Sequence, residues 1–344
     1  MFDELAPVET IMRGLVAQHD ERFPKVAGAL PLYQVIAYHF GWVDETFRPT
    51  NAASGKRFRP LLCLRCCVAA GGDPAQAAWV AAAIELLHNF TLIHDDIQDR
   101  SETRRHRPTV WWLWGDAQAI NAGDALFTLS QLAALEAARR LETDRGTELL
   151  RRFNDTTLRI VEGQVLDLSF EGREAVEADA YLTMIERKTA ALVAFAAWAG
   201  ATMAGASPEQ AEGFHEFGRL LGLGFQLQDD YLGIWGDPAL TGKPHGDDLR
   251  RRKKSLPIVN LLQRASPVDR RRVQELWAGL RDLPPEAVDE ILALLDRYDV
   301  QASVRAEVRD YHEAASRLLE KLVPDPVRAR PLQELVERLV IREG

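Results

Sequence analysis

The sequence predicts an all-α protein, a helical bundle built as a single domain, on three observations. Apolar residues recur at three- and four-residue spacing through most of the 344 positions, the period of a helix with one buried face. Alternating β-branched runs, the mark of strands, are nearly absent. Proline and glycine stand where helices begin: Gly71-Gly72-Asp73-Pro74, Ser207-Pro208, Ser266-Pro267 and Pro284-Pro285 each open a helical pattern. No linker, composition shift or fixed-period repeat divides the chain, so one domain over residues 1–344 is expected, with helices of about 10–25 residues.

In chain order, the N-terminal stretch with Asp3, Glu4 and Glu9 lacks the basic start and apolar core of a signal peptide, which predicts a cytoplasmic protein. A basic element, Gly55-Lys56-Arg57-Phe58-Arg59-Pro60, follows, and alone it reads as a solvated loop. Cys63, Cys66 and Cys67 form an odd, closely spaced set without a distant partner or a second Cys/His pair, which reads as packed thiols in a reducing compartment. An apolar helix, Leu86 to Ile93, then runs into Asp95, Asp96 and Asp99 and a charged loop at 99–109. The uncharged, Ala/Gly-rich run Thr189 to Pro208 is barely long enough to span a bilayer and reads as a buried helix. Leu220 to Leu227 leads into Asp229-Asp230 and a second charged loop at 236–254. Residues 265–344 read as helices that complete the bundle.

Composition narrows the function. With 42 Lys+Arg against 51 Asp+Glu the net charge is −9, and 47% hydrophobic with 27% charged residues describes an ordinary globular chain. Neither disorder nor general nucleic-acid binding, which needs a dominant basic face, fits those numbers.

The acidic clusters carry chemistry. Asp95 and Asp99 share a helix face with no intervening cation, a repulsive pair unless something positive lies between them. Three acids in five positions usually end as a solvated helix terminus, but here an apolar segment precedes them and Arg100, Arg104, Arg105 and Arg107 follow. Mg²⁺ suits such a site, because it takes one or two carboxylates and completes its shell with phosphate oxygens. Asp229-Asp230 repeats the pattern, followed by Lys243 and by Arg250 to Lys254. Two such helices facing each other across a central cavity would hold several Mg²⁺ ions and a diphosphate, and the 55–60 element suits a second diphosphate.

Taken together, residues 50–260 resemble the trans-type isoprenyl diphosphate synthases, most closely the short-chain geranylgeranyl type. The first family motif, D-D-x-x-D, is matched by Asp95-Asp96-Ile97-Gln98-Asp99, with paired arginines at Arg104-Arg105. Further matches run in order: Gly55-Lys56, Arg59-Pro60, His88, Glu162-Gly163-Gln164 with Asp167, Lys188-Thr189, Phe225-Gln226, Asp229-Asp230, Gly242-Lys243 and Lys253. The resemblance implies an isoprenoid-synthase-type bundle that joins isopentenyl diphosphate to an allylic diphosphate (dimethylallyl, geranyl or farnesyl). It implies Asp95, Asp99 and Asp229 as holders of about three Mg²⁺ ions on the allylic diphosphate, with Asp96 and Asp230 in support. Arg104, Lys188, Thr189, Gln226, Lys243 and Lys253 would contact that diphosphate, and Lys56, Arg59, His88 and Arg105 would hold the isopentenyl one. A homodimer is also implied, for which the Ala-rich stretches Ala77–Ala83 and Ala133–Ala138 offer surfaces for close helix packing.

Two positions depart from the family pattern. Gly233 stands where a third aspartate is common in the second motif, and His106 replaces the glycine after the paired arginines, which restricts the backbone there. Residues 236–243 imitate a phosphate-cradling loop, but the glycine spacing is wrong and Pro244 replaces the metal-binding hydroxyl. A terpene cyclase is the enzymatic rival; Asn154-Asp155 and Glu162 match the ends of its second motif, while Leu158 replaces the required hydroxyl. A non-catalytic regulatory subunit would have lost the metal aspartates, which this chain retains. Phe90, five residues before Asp95, with Thr91 beside it, is expected to set the floor of the product cavity. One aromatic there and no insertion in the motif resembles C20 synthases; C15 is the next expectation.

Overall fold

The computed structural model describes residues 2–50, 55, 57–171, 173, 175–237, 245–277 and 282–340. Among these, the backbone is helical apart from loops, one two-stranded hairpin and an isolated bridge between Val43 and Pro49. The chain divides into two compact units, one of residues 1–154 with 196–211 and the other of 155–195 with 212–344.

The first unit contains α1 (Phe2–Arg22), α2 (Leu32–His39), α3 (Phe58–Ala69), α4 (Pro74–Gln98), the hairpin β1 (Thr103–Arg104) and β2 (Arg107–Pro108), α5 (Val110–Trp114) and α6 (Asp116–Ala138). Helix α4 begins where the Gly-Gly-Asp-Pro signal predicts. Asp73 is its N-cap and accepts from the Ala75 N–H at 2.9 Å, while Gln76 Oε1 accepts from the Asp73 N–H at 2.9 Å, a reciprocal capping box. Ala77, Ala78 and Ala81–Ala83 on α4, and Ala133, Ala134, Ala137 and Ala138 on α6, are buried inside this unit. These alanines therefore do not form an outer face for a partner. Their small side chains let helices within the chain approach closely, a use that composition cannot distinguish from a dimer surface.

Helices α7 (Thr143–Glu171), α9 (Ala191–Met203) and α10 (Pro208–Trp235) each run from one unit's residues into the other's. The second unit adds α8 (Ala178–Ile185), a π-helical turn at Glu186–Ala190, a short turn at Asp247–Arg250, and helices Leu256–Arg264, Pro267–Trp277, Pro285–Arg297, Val300–Leu322 and Pro326–Val340. Its core joins Tyr181, Leu227, Tyr231 and Ile234 to Leu256, Ile291, Val300 and Val304. The openings expected at Pro208, Pro267 and Pro285 are all observed.

The uncharged run after Thr189 becomes α9, with Leu192 to Ala199 buried. No helix among the described residues is long and apolar enough to cross a membrane. Cys63, Cys66 and Cys67 are free and buried, and burial pushes all three thiols up, Cys67 to about 12. They are packing residues, as their apolar neighbours indicate.

Candidate active site

Asp95 and Asp99 lie one turn apart at the C-terminal end of α4, where Asp99 is the C-cap and its N–H donates to the Asp95 carbonyl at 2.8 Å. The helix dipole is negative at this end, so the position disfavours carboxylates unless a cation accompanies them. Asp96 points elsewhere. It is 2% exposed, and Arg104 clamps it: Nε lies 2.9 and 3.1 Å from the two carboxylate oxygens and Nη2 lies 2.8 Å from Oδ1. Burial raises the Asp96 pKa, and the Arg104 hydrogen bonds and charge pull against it.

The paired arginines stand on the hairpin. Arg104 pairs with Arg107, and the turn residues Arg105 and His106 adopt φ of 54° and 61°. Both central positions are left-handed, as a type I′ hairpin turn requires. The glycine of the family pattern would be unstrained at 106; histidine holds the same conformation at a cost of about 1–2 kcal/mol. Arg107 secures the hairpin by donating to the Tyr38 and Val43 carbonyls, each at 2.8 Å. Gly55, at φ 80°, leaves room for the Arg105 guanidinium: a Cβ there would fall 2.7 Å from Arg105 Cζ. The adjoining Lys56, and Lys243 of the second cluster, lie outside the described residues.

Arg59 Nη1 donates to His88 Nε2 at 3.2 Å, which requires a neutral ring. Burial, then the charges of Arg59, Arg105, Arg104 and His39, hold the His88 pKa well below its ordinary value. Beneath these cations lies a residue the motif reading missed. Glu85 is 2% exposed and accepts from Asn89 Nδ2 at 2.9 Å, while Asn89 Oδ1 lies 3.1 Å from His39 Nε2. Burial raises the Glu85 pKa against the opposing pull of Arg57, the Asn89 hydrogen bond, Arg105 and Arg59. A buried acid among three arginines offsets their mutual repulsion and keeps them in place for an anion. The available signal was one acid inside the otherwise apolar run Ala77–Leu87.

Phe90, half-buried, packs its ring 4.8 Å from that of His94 and 5.3 Å from that of Phe127 on α6. Thr91 donates its hydroxyl to the His88 carbonyl at 2.8 Å.

In the second unit, Asp229 is exposed and Asp230 is fully buried. The two Asp230 oxygens accept four hydrogen bonds: from Tyr181 Oη and the Leu256 N–H (3.0 Å) on Oδ2, and from Gln226 Nε2 (3.1 Å) and Lys253 Nζ (3.1 Å) on Oδ1. Thr189 Oγ1 donates to Gln226 Oε1 at 2.8 Å. The structure thus links Thr189, Gln226, Asp230 and Lys253 into one chain, while Lys188 Nζ donates to Asp167 Oδ2 at 2.6 Å. Burial alone would lower the Lys253 pKa, but the Asp230, Asp248 and Asp229 carboxylates hold it well above its ordinary value, so the side chain stays cationic.

Lys188 and Thr189 sit on the π-helical turn, a local widening common at functional sites. Two glycines admit it. A Cβ on Gly163 of α7 would fall 2.6 Å from Lys188 Cα, and one on Gly222 of α10 would fall 2.7 Å from Ala190 Cα. Gly163→Ala should displace the π-turn and cost roughly a hundredfold in kcat/KM if the turn lies in the active site, the usual penalty for an ångström-scale misplacement. Steady-state kinetics of the variant, beside its unfolding curve, checks this.

The sequence profile of the polyprenyl synthetase family matches residues 41–295, most of the chain. The chain belongs to the polyprenyl synthetase family. It is therefore a trans-prenyltransferase, with the all-α fold of its relatives. A (2E,6E)-farnesyl diphosphate synthase of Mycobacterium tuberculosis (strain H37Rv) is 40% identical over 313 residues, covering 90% of this chain and 86% of that protein. A polyprenyl synthetase from Streptomyces coelicolor superposes with a TM-score of 0.87 at 36% identity, over 99% of this synthetase and 98% of that chain. A geranylgeranyl pyrophosphate synthase from Corynebacterium glutamicum, complexed with isoprenyl diphosphate and magnesium, superposes with a TM-score of 0.83 at 25% identity over 99% of each chain.

Proposed function

We propose that this prenyltransferase condenses isopentenyl diphosphate with an allylic diphosphate, with Mg²⁺, to give geranylgeranyl diphosphate (C20). The observation that carries the reading is the combination of carboxylates at a helix C-terminus with arginines organised around a buried acid. The first calls for a bound cation and the second for a bound anion.

Asp95, Asp99 and Asp229 offer only hard oxygen donors, which suits Mg²⁺. Carboxylates sharing the ions with diphosphate oxygens fit that donor set. When bound, about three such ions would neutralise the charge that develops on the departing diphosphate. Lys188, Thr189, Gln226, Lys253 and Arg104 then bind and orient the allylic diphosphate, and Lys243 joins them. Lys56, Arg59, His88 and Arg105 hold the isopentenyl diphosphate, with His88 neutral so that it accepts from Arg59. The allylic C–O bond breaks, the double bond of isopentenyl diphosphate attacks the cation, and a proton leaves to the released diphosphate. No side-chain nucleophile is required, and the buried, high-pKa thiols supply none.

The relatives' names, one farnesyl and one geranylgeranyl, support the substrate class. The C20 length rests on Phe90. Its ring is braced by Phe127 and His94, and Thr91 beside it is a small side chain. Product analysis after incubation with C5, C10 and C15 primers should show a C20 end point. Phe90→Ala should lengthen it by at least one isoprene unit; an unchanged length would remove Phe90 from this role. We further infer a homodimer, for which exposed Trp112, Ile120, Leu132 and Leu135 supply apolar surface in place of the buried alanines. The buried free thiols fit a reducing, cytoplasmic setting.

A further inference from the structure

The basic run Arg250 to Lys254 divides three ways. Arg250 and Arg251 pair with Asp247, and Lys253 Nζ lies 3.1 Å from Asp230 Oδ1 and 3.3 Å from Asp248 Oδ2. Arg252 and Lys254 have no carboxylate partner among the described residues. Lys254 is 8% exposed, and its Nζ lies 5.3 Å from the centroid of the Trp277 ring. Arg252 Nε and Nη1 are both enclosed, and neither meets an acceptor. Trp277 ties the two residues together, because its Nε1 donates to the Arg252 carbonyl at 3.0 Å. Arg252 is held left-handed at φ 55°, with its N–H donating to the Leu249 carbonyl at 2.9 Å. The two cations feel each other: burial, then the Arg252 charge, lowers the Lys254 pKa to about 8.

We propose that Arg252 and Lys254, beside the Trp277 ring, form a binding site for a dianionic oxyanion of the phosphate class, separate from the two diphosphate sites of the proposed reaction. Enclosing an N–H without an acceptor is costly, and so is placing a second cation beside a buried ammonium, unless an anion joins them. A purely structural arrangement would supply a carboxylate, as Asp247 does for Arg250 and Arg251 and Asp248 for Lys253 in the same run. Two positive charges call for two negative ones. A tetrahedral phosphate carries them on several oxygens, which accept from a guanidinium and an ammonium in different directions, whereas a carboxylate ligand would neutralise only one. The site is separate because Lys253, the neighbour of both residues, turns its ammonium to Asp230 and Asp248 while Lys254 turns to Trp277. The inference stands without the assignment of Lys253 to the allylic diphosphate.

The test is binding of inorganic phosphate to the full-length protein by calorimetry, at fixed ionic strength and with chelator, so that no metal-held diphosphate site contributes. It is run on the wild type and on Arg59→Met, which disables anion binding at the isopentenyl site. Phosphate should bind both. Arg252→Gln and Lys254→Gln, each added to either background, should weaken the remaining site at least about tenfold, the scale of one lost charge-assisted hydrogen bond. Lys254→Arg keeps the charge and should bind within about threefold of its parent. Saturating phosphate should raise the urea midpoint of Arg59→Met and leave that of Arg59→Met with Lys254→Gln unmoved, because a ligand stabilises only the folded state that binds it. Glycerol phosphate binding at least as tightly as phosphate would identify a phosphate monoester as the occupant, and binding of phosphate alone would identify the free ion. Phosphate binding that disappears with Arg59→Met, that survives both glutamine substitutions, or that chloride reproduces at the same ionic strength overturns the inference. If the wild type elongates no primer, the proposed function falls, and these binding measurements still decide this inference.

Discussion

Asp95→Asn lowers kcat by on the order of a thousandfold, the scale expected when a group that stabilises developing charge is removed. Asparagine keeps the shape of the side chain, and the site lies at the C-terminal end of α4, where a negative charge opposes the helix dipole. Stability therefore holds or rises slightly while turnover collapses. That divergence separates a metal-binding role from a structural one. Turnover measured across Mg²⁺ concentrations, together with the urea midpoint, checks it: the variant should need far more Mg²⁺ and unfold at or above the wild-type midpoint. A midpoint that falls in step with activity would make Asp95 a packing residue.

Asp230→Ala has the opposite profile. Its carboxylate takes four donors, and it is 0% exposed. Alanine leaves the Tyr181 hydroxyl, the Leu256 N–H and the Gln226 amide without that acceptor and the Lys253 ammonium with one carboxylate fewer. Removing one member of a buried, charged network costs about 3–5 kcal/mol. Burial, the Asp230 charge and the hydrogen bond to it already hold the Tyr181 hydroxyl well above its ordinary pKa, so that hydroxyl cannot compensate by ionising. Asp229→Ala, one residue away and exposed, should leave the urea midpoint near wild type and still abolish most activity. If Asp229→Ala were the destabilising change and Asp230→Ala the mild one, the division of labour within the pair would be reversed.

Much of this was legible in the sequence because it is local. Each Pro-led helix start, the acidic ends of α4 and α10, the basic residues after them and the packed cysteines depend on neighbours within a few positions. What escaped depends on distant partners. Glu85 acquires its role only when α2, α3 and the hairpin bring His39, Arg59 and Arg105 near it, and one acid in an apolar run carries little signal alone. The alanine stretches were readable as close-packing surfaces but not as surfaces facing inward, because sequence does not say which helix is the neighbour. In sequence His106 is a departure from glycine; the structure shows why the position matters, since it is left-handed, and that histidine adopts it all the same.

The central claim is that the chain transfers an allylic group to isopentenyl diphosphate. The most direct measurement incubates the purified protein with Mg²⁺, radiolabelled isopentenyl diphosphate and, separately, C5, C10 and C15 allylic diphosphates, and follows label into prenyl diphosphates with and without chelator. The account predicts Mg²⁺-dependent incorporation that ends at C20. Consumption of an allylic diphosphate to hydrocarbon without uptake of label, or no incorporation from any primer, would contradict it.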